Sequence, residues 1–175
     1  DPIYVDYHDN EWGRPITDDT KLYEKLCLEG FQAGLSWLTI LRKREAFRAA
    51  FRDFDPVKVA RFNDRNIERL MNNEGIVRNR AKIEATIGNA KATLKVQQEV
   101  GSLSKLIWSF APIKPGKAPK TFGDLPASTP ESHALSKELL KRGFKFVGPT
   151  TMYAAMQSLG LVNDHFANCH ARHTV

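Results

Sequence analysis

The segment from Leu22 to Leu41 contains the residues of this sequence that are best suited to chemistry. Within it, Glu29 lies in a short run, residues 29–34, whose other members are apolar, small or amide-bearing. A buried carboxylate is costly unless a cation or hydrogen-bond donors meet it. The indole of Trp37, slightly later in the segment, attracts cations to its face. We therefore predict a pocket in which an acid and an indole together bind a flat, positively charged ligand.

The same residues are also compatible with a purely structural role. Glu29 would then end a helix at a solvated corner, Gly30 would be its C-terminal stop, and Trp37 would be an ordinary core aromatic. The sequence pattern leaves both interpretations open.

Ring side chains are concentrated at the start of the chain, where residues 1–13 include Tyr4, Tyr7, His8 and Trp12. One interpretation is an N-terminal arm that packs its rings on the body of the protein. The other is that Tyr7 and Trp12 help to line the pocket while His8 points to a metal. Both interpretations can be correct, each for different rings of this segment.

A second group of candidate metal ligands lies near the other end of the chain. His165 and Cys169 are spaced i, i+4, which would place both on one face of a helix and suits a soft divalent metal such as zinc. A lone His and Cys are more often a core residue and a surface residue. Two protein ligands also cannot close a structural site.

Basic residues follow a glycine turn in the middle of the chain. A predicted helix opened by Asn63 and Asp64 leads to Gly75, and a longer helix starts among Arg78, Arg80 and Lys82. Backbone N–H groups at such a turn and helix start favour a phosphate, and the side chains add positive charge. The alternative is a plain helix corner with solvated basic residues.

The rest of the sequence predicts an all-α fold. Apolar residues recur at helical spacing and no segment shows sustained alternation. We predict a helix over 18–28, a break over 29–34, a helix over 37–51 capped by Ser36, a short helix at Asp55-Pro56, and a surface loop over 111–130. At 175 residues the chain should form a single domain, 1–175.

The amino-acid composition indicates the class of binding partner and the cellular compartment. The chain has 26 Lys and Arg against 20 Asp and Glu, a net charge of +6, which favours a polyanionic partner. Its two cysteines are far apart, which argues for a reducing compartment. We see no signal peptide and no apolar run of membrane length, so we expect a cytoplasmic protein without a membrane partner.

Five motifs, in order and over nearly the whole chain, resemble the family of 3-methyladenine DNA glycosylase I, constitutive enzymes of bacteria. The motifs are YHDNEWG (7–13), LEGFQAGLSW (28–37), GIVRNRAKI (75–83), SKELLKRGFKFVGPTTMYAAMQ (136–157) and GLVNDH (160–165). The resemblance implies an all-α, helix-hairpin-helix glycosylase fold with a terminal zinc-binding region. It also implies a monomer that excises N3-methyladenine from alkylated double-stranded DNA, the first step of base excision repair, and releases free 3-methyladenine.

The resemblance also assigns roles to individual residues. It implies a base pocket lined by Tyr7, Trp12, Glu29 and Trp37, with Glu29 as the catalytic residue. Gly34 and Leu35 would enter the gap left by the flipped base, while the hairpin would hold DNA phosphates through Gly75, Arg78, Asn79, Arg80 and Lys82. A non-catalytic helix-hairpin-helix DNA-binding module is the alternative function.

The same resemblance implies a structural Zn²⁺ held by His8, His165 and Cys169. The family's fourth ligand is a cysteine just before the YHDNEWG motif, and this sequence starts after that position; His170 and His173 are other nearby candidates. Lyase-active members of the superfamily carry a lysine where this chain has Asn79, and Gln97 and Gln98 stand where their catalytic aspartate is usual. We therefore expect no Schiff base and no lyase activity.

Overall fold

The computed structural model describes residues 1–114 and 116–174, the latter range without the side chains of residues 173 and 174. This part of the chain contains helices and no strand, as the sequence predicts. The helices are α1 (Pro2–Asn10), α2 (Asp19–Gln32), α3 (Trp37–Ala50), α4 (Pro56–Val59), α5 (Asp64–Met71), α6 (Arg80–Val100), α7 (Leu103–Trp108), α8 (Pro130–Lys141) and α9 (Pro149–Leu159), with short 3-10 helices at Arg52–Phe54, Phe122–Asp124 and His170–Thr174.

Helix α2 is the centre of the molecule. It packs against α3, α6, α7 and α9, and its residues from Leu26 through Phe31 are all buried. Because neighbouring helices cover most of α2 beyond its first turn, Lys25 and Glu29 lie in the interior with Leu22 and Leu26. Lys25 and Glu29 are therefore available mainly to ligands and partners inside the fold.

The predicted break at residues 29–34 is wrong in its position. Helix α2 continues to Gln32, and the turn that follows occupies residues 33–36, with Gly34 at φ +83. Gly30 is helical, and a Cβ there would lie 3.1 Å from the Cβ of Phe146. Its glycine therefore allows a close approach of two segments and does not stop the helix, while Gly34 adopts the left-handed conformation.

Several predicted helix starts are confirmed. Ser36 accepts a hydrogen bond from the Thr39 N–H, Asn63 caps α5, and Asp55 caps α4 before Pro56. At the start of the chain, residues 2–10 form helix α1, an element that the sequence analysis did not specify. No helix in the described ranges is both long and apolar enough to cross a bilayer.

Candidate functional site

A cleft of about 150 Å³ opens between α1, α2, α3 and α9. Pockets for drug-sized ligands usually measure roughly 300–1,000 Å³, so this cleft suits a smaller, flat molecule. The structure brings together the four residues assigned to the pocket from the sequence. The lining consists of Tyr4, Tyr7, Trp12, Glu29, Gln32, Trp37, Ala154 and Gln157.

Glu29 is the carboxylate of this cleft, and it is almost completely buried, with 4% of its surface exposed. Burial raises the pKa of Glu29 to about 7, although the charge of Lys25 and a hydrogen bond from Ser158 act in the opposite direction. The solvated-corner interpretation is therefore wrong. At neutral pH the ionised and neutral forms of Glu29 differ little in free energy, so a positively charged ligand would stabilise the ionised form.

Aromatic rings form the walls of the cleft. The ring centroids of Tyr7 and Trp37 are 5.6 Å apart with the planes tilted by 47°. Trp37 is the first residue of α3, held in place by the Ser36 cap, and its indole N–H is buried without a hydrogen-bond partner within the described structure. Buried donors are usually paired, so this N–H is free to meet a ligand atom or water.

Lys25 is a buried site residue that the sequence analysis missed. Its Nζ donates to the Tyr7 hydroxyl at 2.9 Å and lies 4.7 Å from the centre of the Trp37 ring. A signal was present, since Lys25 stands one helical turn before Glu29 in an apolar helical pattern. Burial lowers the pKa of Lys25, whereas the charge of Glu29 raises it.

The three predicted metal ligands form one cluster beside the cleft. The potential ligand atoms of His8, His165 and Cys169 all lie within 4.8 Å of one another. The Cys169 Sγ is 3.9 Å from the His8 Nε2 and 3.8 Å from the His165 Nδ1. Tetrahedral coordination at the usual Zn–S and Zn–N lengths separates such atoms by about 3.5 Å, so the donor set fits a metal after small adjustments.

The remaining ring nitrogens of the two histidines are also engaged. His8 Nδ1 is 2.9 Å from a carboxylate oxygen of Asp9, and His165 Nε2 is 3.0 Å from the Trp12 carbonyl oxygen. Such partners fix the ring orientation and turn the other nitrogen toward a metal. Burial lowers the pKa of His165, which favours the neutral ring that metal binding requires.

The predicted helix carrying His165 and Cys169 is absent. Residues 163–169 form a loop with a turn, and the two side chains meet because the loop folds back toward α1. His170 is directed to Asp9, with its Nε2 3.4 Å from the carboxylate. The side chain of His173 lies outside the described residues.

The glycine turn and its basic residues lie between α5 and α6. A Cβ on Gly75 would come within 2.9 Å of the Ala46 Cβ, so this turn needs glycine for close packing. Asn79 caps α6 by accepting from the Lys82 N–H, and the exposed Arg80 pairs with Glu68. Arg78 is exposed at the end of the turn.

The structure corrects the role that we assigned to Lys82 from the sequence. We predicted a phosphate contact, but its Nζ points inward and donates to the carbonyl oxygens of Phe31 at 2.9 Å and Ala33 at 2.7 Å. These carbonyls end α2 and lack partners within their own helix. Lys82 therefore stabilises the end of α2, beside the turn that carries Gly34 and the 40% exposed Leu35.

Comparison with known proteins identifies the family of this chain. The family model for methyladenine glycosylase matches residues 1–173. The chain is 54% identical over 170 residues to DNA-3-methyladenine glycosylase 1 of Escherichia coli K12, covering 97% of this chain and 91% of that protein.

Two solved structures of 3-methyladenine DNA glycosylase I are also similar. One matches with TM-score 0.94 and 51% identity, covering 97% of this chain and 94% of the other. The second, a Tyr-to-Phe variant in complex with 3-methyladenine, matches with TM-score 0.94 and 41% identity over 98% of this chain and 93% of the other. Together with the cleft geometry, these matches show that the chain belongs to the methyladenine glycosylase family.

Proposed function

We propose that this chain excises 3-methyladenine from DNA by hydrolysing its N-glycosidic bond. The observation that carries this proposal is the buried carboxylate of Glu29 in a small cleft walled by Tyr7 and Trp37. The E. coli relative is named for this activity, and a solved relative holds 3-methyladenine.

The cleft residues supply recognition of a cationic base. N3-methylated adenine in DNA carries a delocalised positive charge, which the face of the Trp37 indole attracts. Ionised Glu29 accepts a hydrogen bond from the exocyclic amine and offsets the charge, and Tyr7 bonds the edge of the base. Unmodified adenine is neutral and leaves buried Glu29 poorly compensated, so charge and shape together select the damaged base.

Hydrolysis uses the reactivity of the methylated base itself. The electron pair of the bond between the base and C1′ leaves with the base, which becomes neutral, and positive charge develops on the sugar. Water then adds at C1′ and loses a proton. Because Asn79 stands where lyase-active relatives of the superfamily carry a lysine, we propose a monofunctional enzyme with Glu29 as the residue that contacts the reacting base.

The target base must leave the DNA stack before it reaches the cleft. We propose that α5, residues 72–79 and α6 act as a helix-hairpin-helix grip on the phosphates, through exposed Arg78 and Arg80, Asn79 and the Gly75 turn. Gly34 and exposed Leu35 lie in the turn after α2 and would fill the gap left by the flipped base. Lys82 stabilises the turn after α2 from the interior of the protein.

We also propose a structural Zn²⁺ at the cluster of His8, His165 and Cys169. An ion held by these residues would play a structural role, outside the reaction, by joining α1 to the loop before the final 3-10 helix. Trp12 lies between this cluster and the cleft, since its ring contacts that of His165 at 4.7 Å and also lines the cleft. The metal would therefore stabilise one wall of the base pocket.

Chromatography of bases released from methylated duplex DNA tests the proposed function. The native chain should release 3-methyladenine, while Glu29→Gln and Trp37→Ala should lose most of this activity. Glu45→Gln, with an 83% exposed side chain on α3, is the matched control and should behave like the native chain. A chain that binds methylated DNA without releasing any base would be a binding module, and the proposal would be wrong.

A further inference from the structure

We propose that Lys25 is a positioning residue for this reaction, whose buried ammonium favours the ionised form of Glu29 and leaves the Tyr7 hydroxyl hydrogen available to the cleft. The inference rests on the proposed function of the cleft, and it concerns a residue outside the cleft lining. Lys25 would act through Glu29 and Tyr7 without touching the base.

The position of Lys25 supports an indirect role. Its Nζ lies 4.9 Å from the Tyr7 ring centre and 4.7 Å from that of Trp37, so it contacts both walls of the cleft. It lines a neighbouring cavity of about 370 Å³, together with Ser158, and is not part of the cleft surface. The ammonium therefore lies behind the aromatic pair, and replacing it leaves the surfaces that meet the base in place.

The surrounding charges leave Glu29 as the acid that Lys25 can compensate. Glu11 on α1 is held by Arg44 of α3 through two hydrogen bonds of 2.7 and 2.9 Å. Glu24 on α2 is held in the same way by Arg48, at 2.7 and 3.1 Å. Arginine thus neutralises both of the other acids that act on Lys25, and Glu29 lies one helical turn away on the same face.

Loss of the Lys25 charge would change the protonation of Glu29. Burial already raises the pKa of Glu29 to about 7 while the charge of Lys25 holds it down. An opposite charge nearby typically lowers a carboxyl pKa by about 1–3 units. Without Lys25, Glu29 would be a neutral acid near pH 7 and could not offset a cationic base.

The hydrogen bond from Lys25 also constrains the direction of the Tyr7 hydroxyl hydrogen. The ammonium can only donate, so the Tyr7 oxygen accepts this bond of 2.9 Å. The single hydroxyl hydrogen of Tyr7 must then point to a different acceptor, and an atom of the bound base would be one. Lys25 therefore makes Tyr7 available as a donor toward the cleft.

The test is the pH dependence of kcat/KM for base release by the full chain, which reports the pKa values of the free enzyme. The native chain should lose activity as pH falls through about 7. Lys25→Met should move this midpoint upward by about one pH unit or more, with at least about a tenfold loss at pH 7 that is partly recovered at pH 9. Lys25→Arg keeps the charge and should retain the native midpoint. An equal loss at every pH with an unmoved midpoint would overturn the proposal.

A titration of the Glu29 carboxyl by carbon NMR in the native chain avoids dependence on a variant that fails to fold. The carboxyl should ionise near pH 7, and a carboxyl that is still protonated at pH 9 would contradict a compensating role for Lys25. If the native chain released no 3-methyladenine, the proposed function would be wrong. The NMR titration would still test the electrostatic coupling between Lys25 and Glu29. If base release were normal but the Lys25→Met midpoint were unmoved, only the role of Lys25 would fail.

Discussion

The ammonium of Lys82 lies 2.7 Å from the carbonyl oxygen of Ala33, which ties the first turn of α6 to the end of α2. A second bond of 2.9 Å joins the same nitrogen to the Phe31 carbonyl. Helix α6 follows the basic glycine turn and α2 carries Glu29, so this contact links the proposed phosphate grip to the base pocket. The two regions are therefore connected by a direct contact in the absence of DNA.

Lys82→Met should therefore act on stability. It leaves two carbonyl oxygens at the end of α2 without their charged donor, and we expect the free energy of unfolding to fall by about 2–3 kcal/mol. Urea denaturation measures this loss. The salt dependence of DNA binding by the folded variant should stay native, and a reduced salt slope would mean that Lys82 contacts phosphate after all.

Arg78→Ala should change the salt dependence of DNA binding, which Lys82→Met should leave native. Arg78 is exposed beside the Gly75 turn, so its loss should weaken binding to all DNA sequences alike and reduce the slope of log K against log salt by about 1. Fluorescence anisotropy at several salt concentrations measures both effects. Lys141→Ala, an exposed cation on α8, is the control and should leave the slope unchanged. A loss of affinity that depends on the DNA sequence would argue against a phosphate contact.

The pH dependence of stability should report the buried acid. The pKa of Glu29 is raised from 4.5 in the unfolded chain to about 7 in the folded one. Its contribution to stability is therefore fully present below pH 4.5 and is lost as pH rises through about 7, a change of about 3 kcal/mol. Glu29→Gln should flatten this loss between pH 5 and pH 8 in urea titrations, whereas parallel curves for the two proteins would show that the pKa of Glu29 is not raised in the folded chain.

Metal content should depend on Cys169. Elemental analysis of the purified native chain should find about one zinc per molecule, and Cys169→Ser should remove most of it because a thiolate ligand is lost. A chelator should lower the Tm of the native chain and have little effect on the variant. Cys27→Ala, buried in α2 away from the cluster, should keep the metal. A native chain free of zinc would reject the site.

Two helical glycines should respond in opposite directions to alanine. At Gly30 a Cβ would lie 3.1 Å from the Phe146 Cβ, and we expect Gly30→Ala to cost about 1–3 kcal/mol through overpacking. At Gly88 in α6 a Cβ meets nothing within 4 Å, so Gly88→Ala should stabilise by up to about 1 kcal/mol through helix propensity. Chemical denaturation midpoints measure both. Equal effects at the two sites would show that packing against Phe146 is not what requires Gly30.

The sequence by itself determined the features that depend on neighbouring residues. Helix starts at Ser36, Asp55 and Asn63 follow from side chains that bond the next turn, and apolar spacing predicted an all-helical chain. The five motifs identified the family, while an isolated carboxylate among apolar residues and a nearby indole singled out Glu29 and Trp37. Local rules could not show that α2 runs through residues 29–32, because the space that requires Gly30 is made by the distant Phe146.

Only the tertiary structure decided the roles of the two buried lysines. Lys25 and Lys82 are both lysines within helices, yet one bonds Tyr7, 18 residues away, and the other bonds Ala33, 49 residues away. A lysine is buried only where a distant segment supplies acceptors for its charge, and no local pattern records those acceptors. The ring nitrogens of His8 and His165 meet Cys169 for the same reason, since the folded path of the loop brings them together and helical spacing does not.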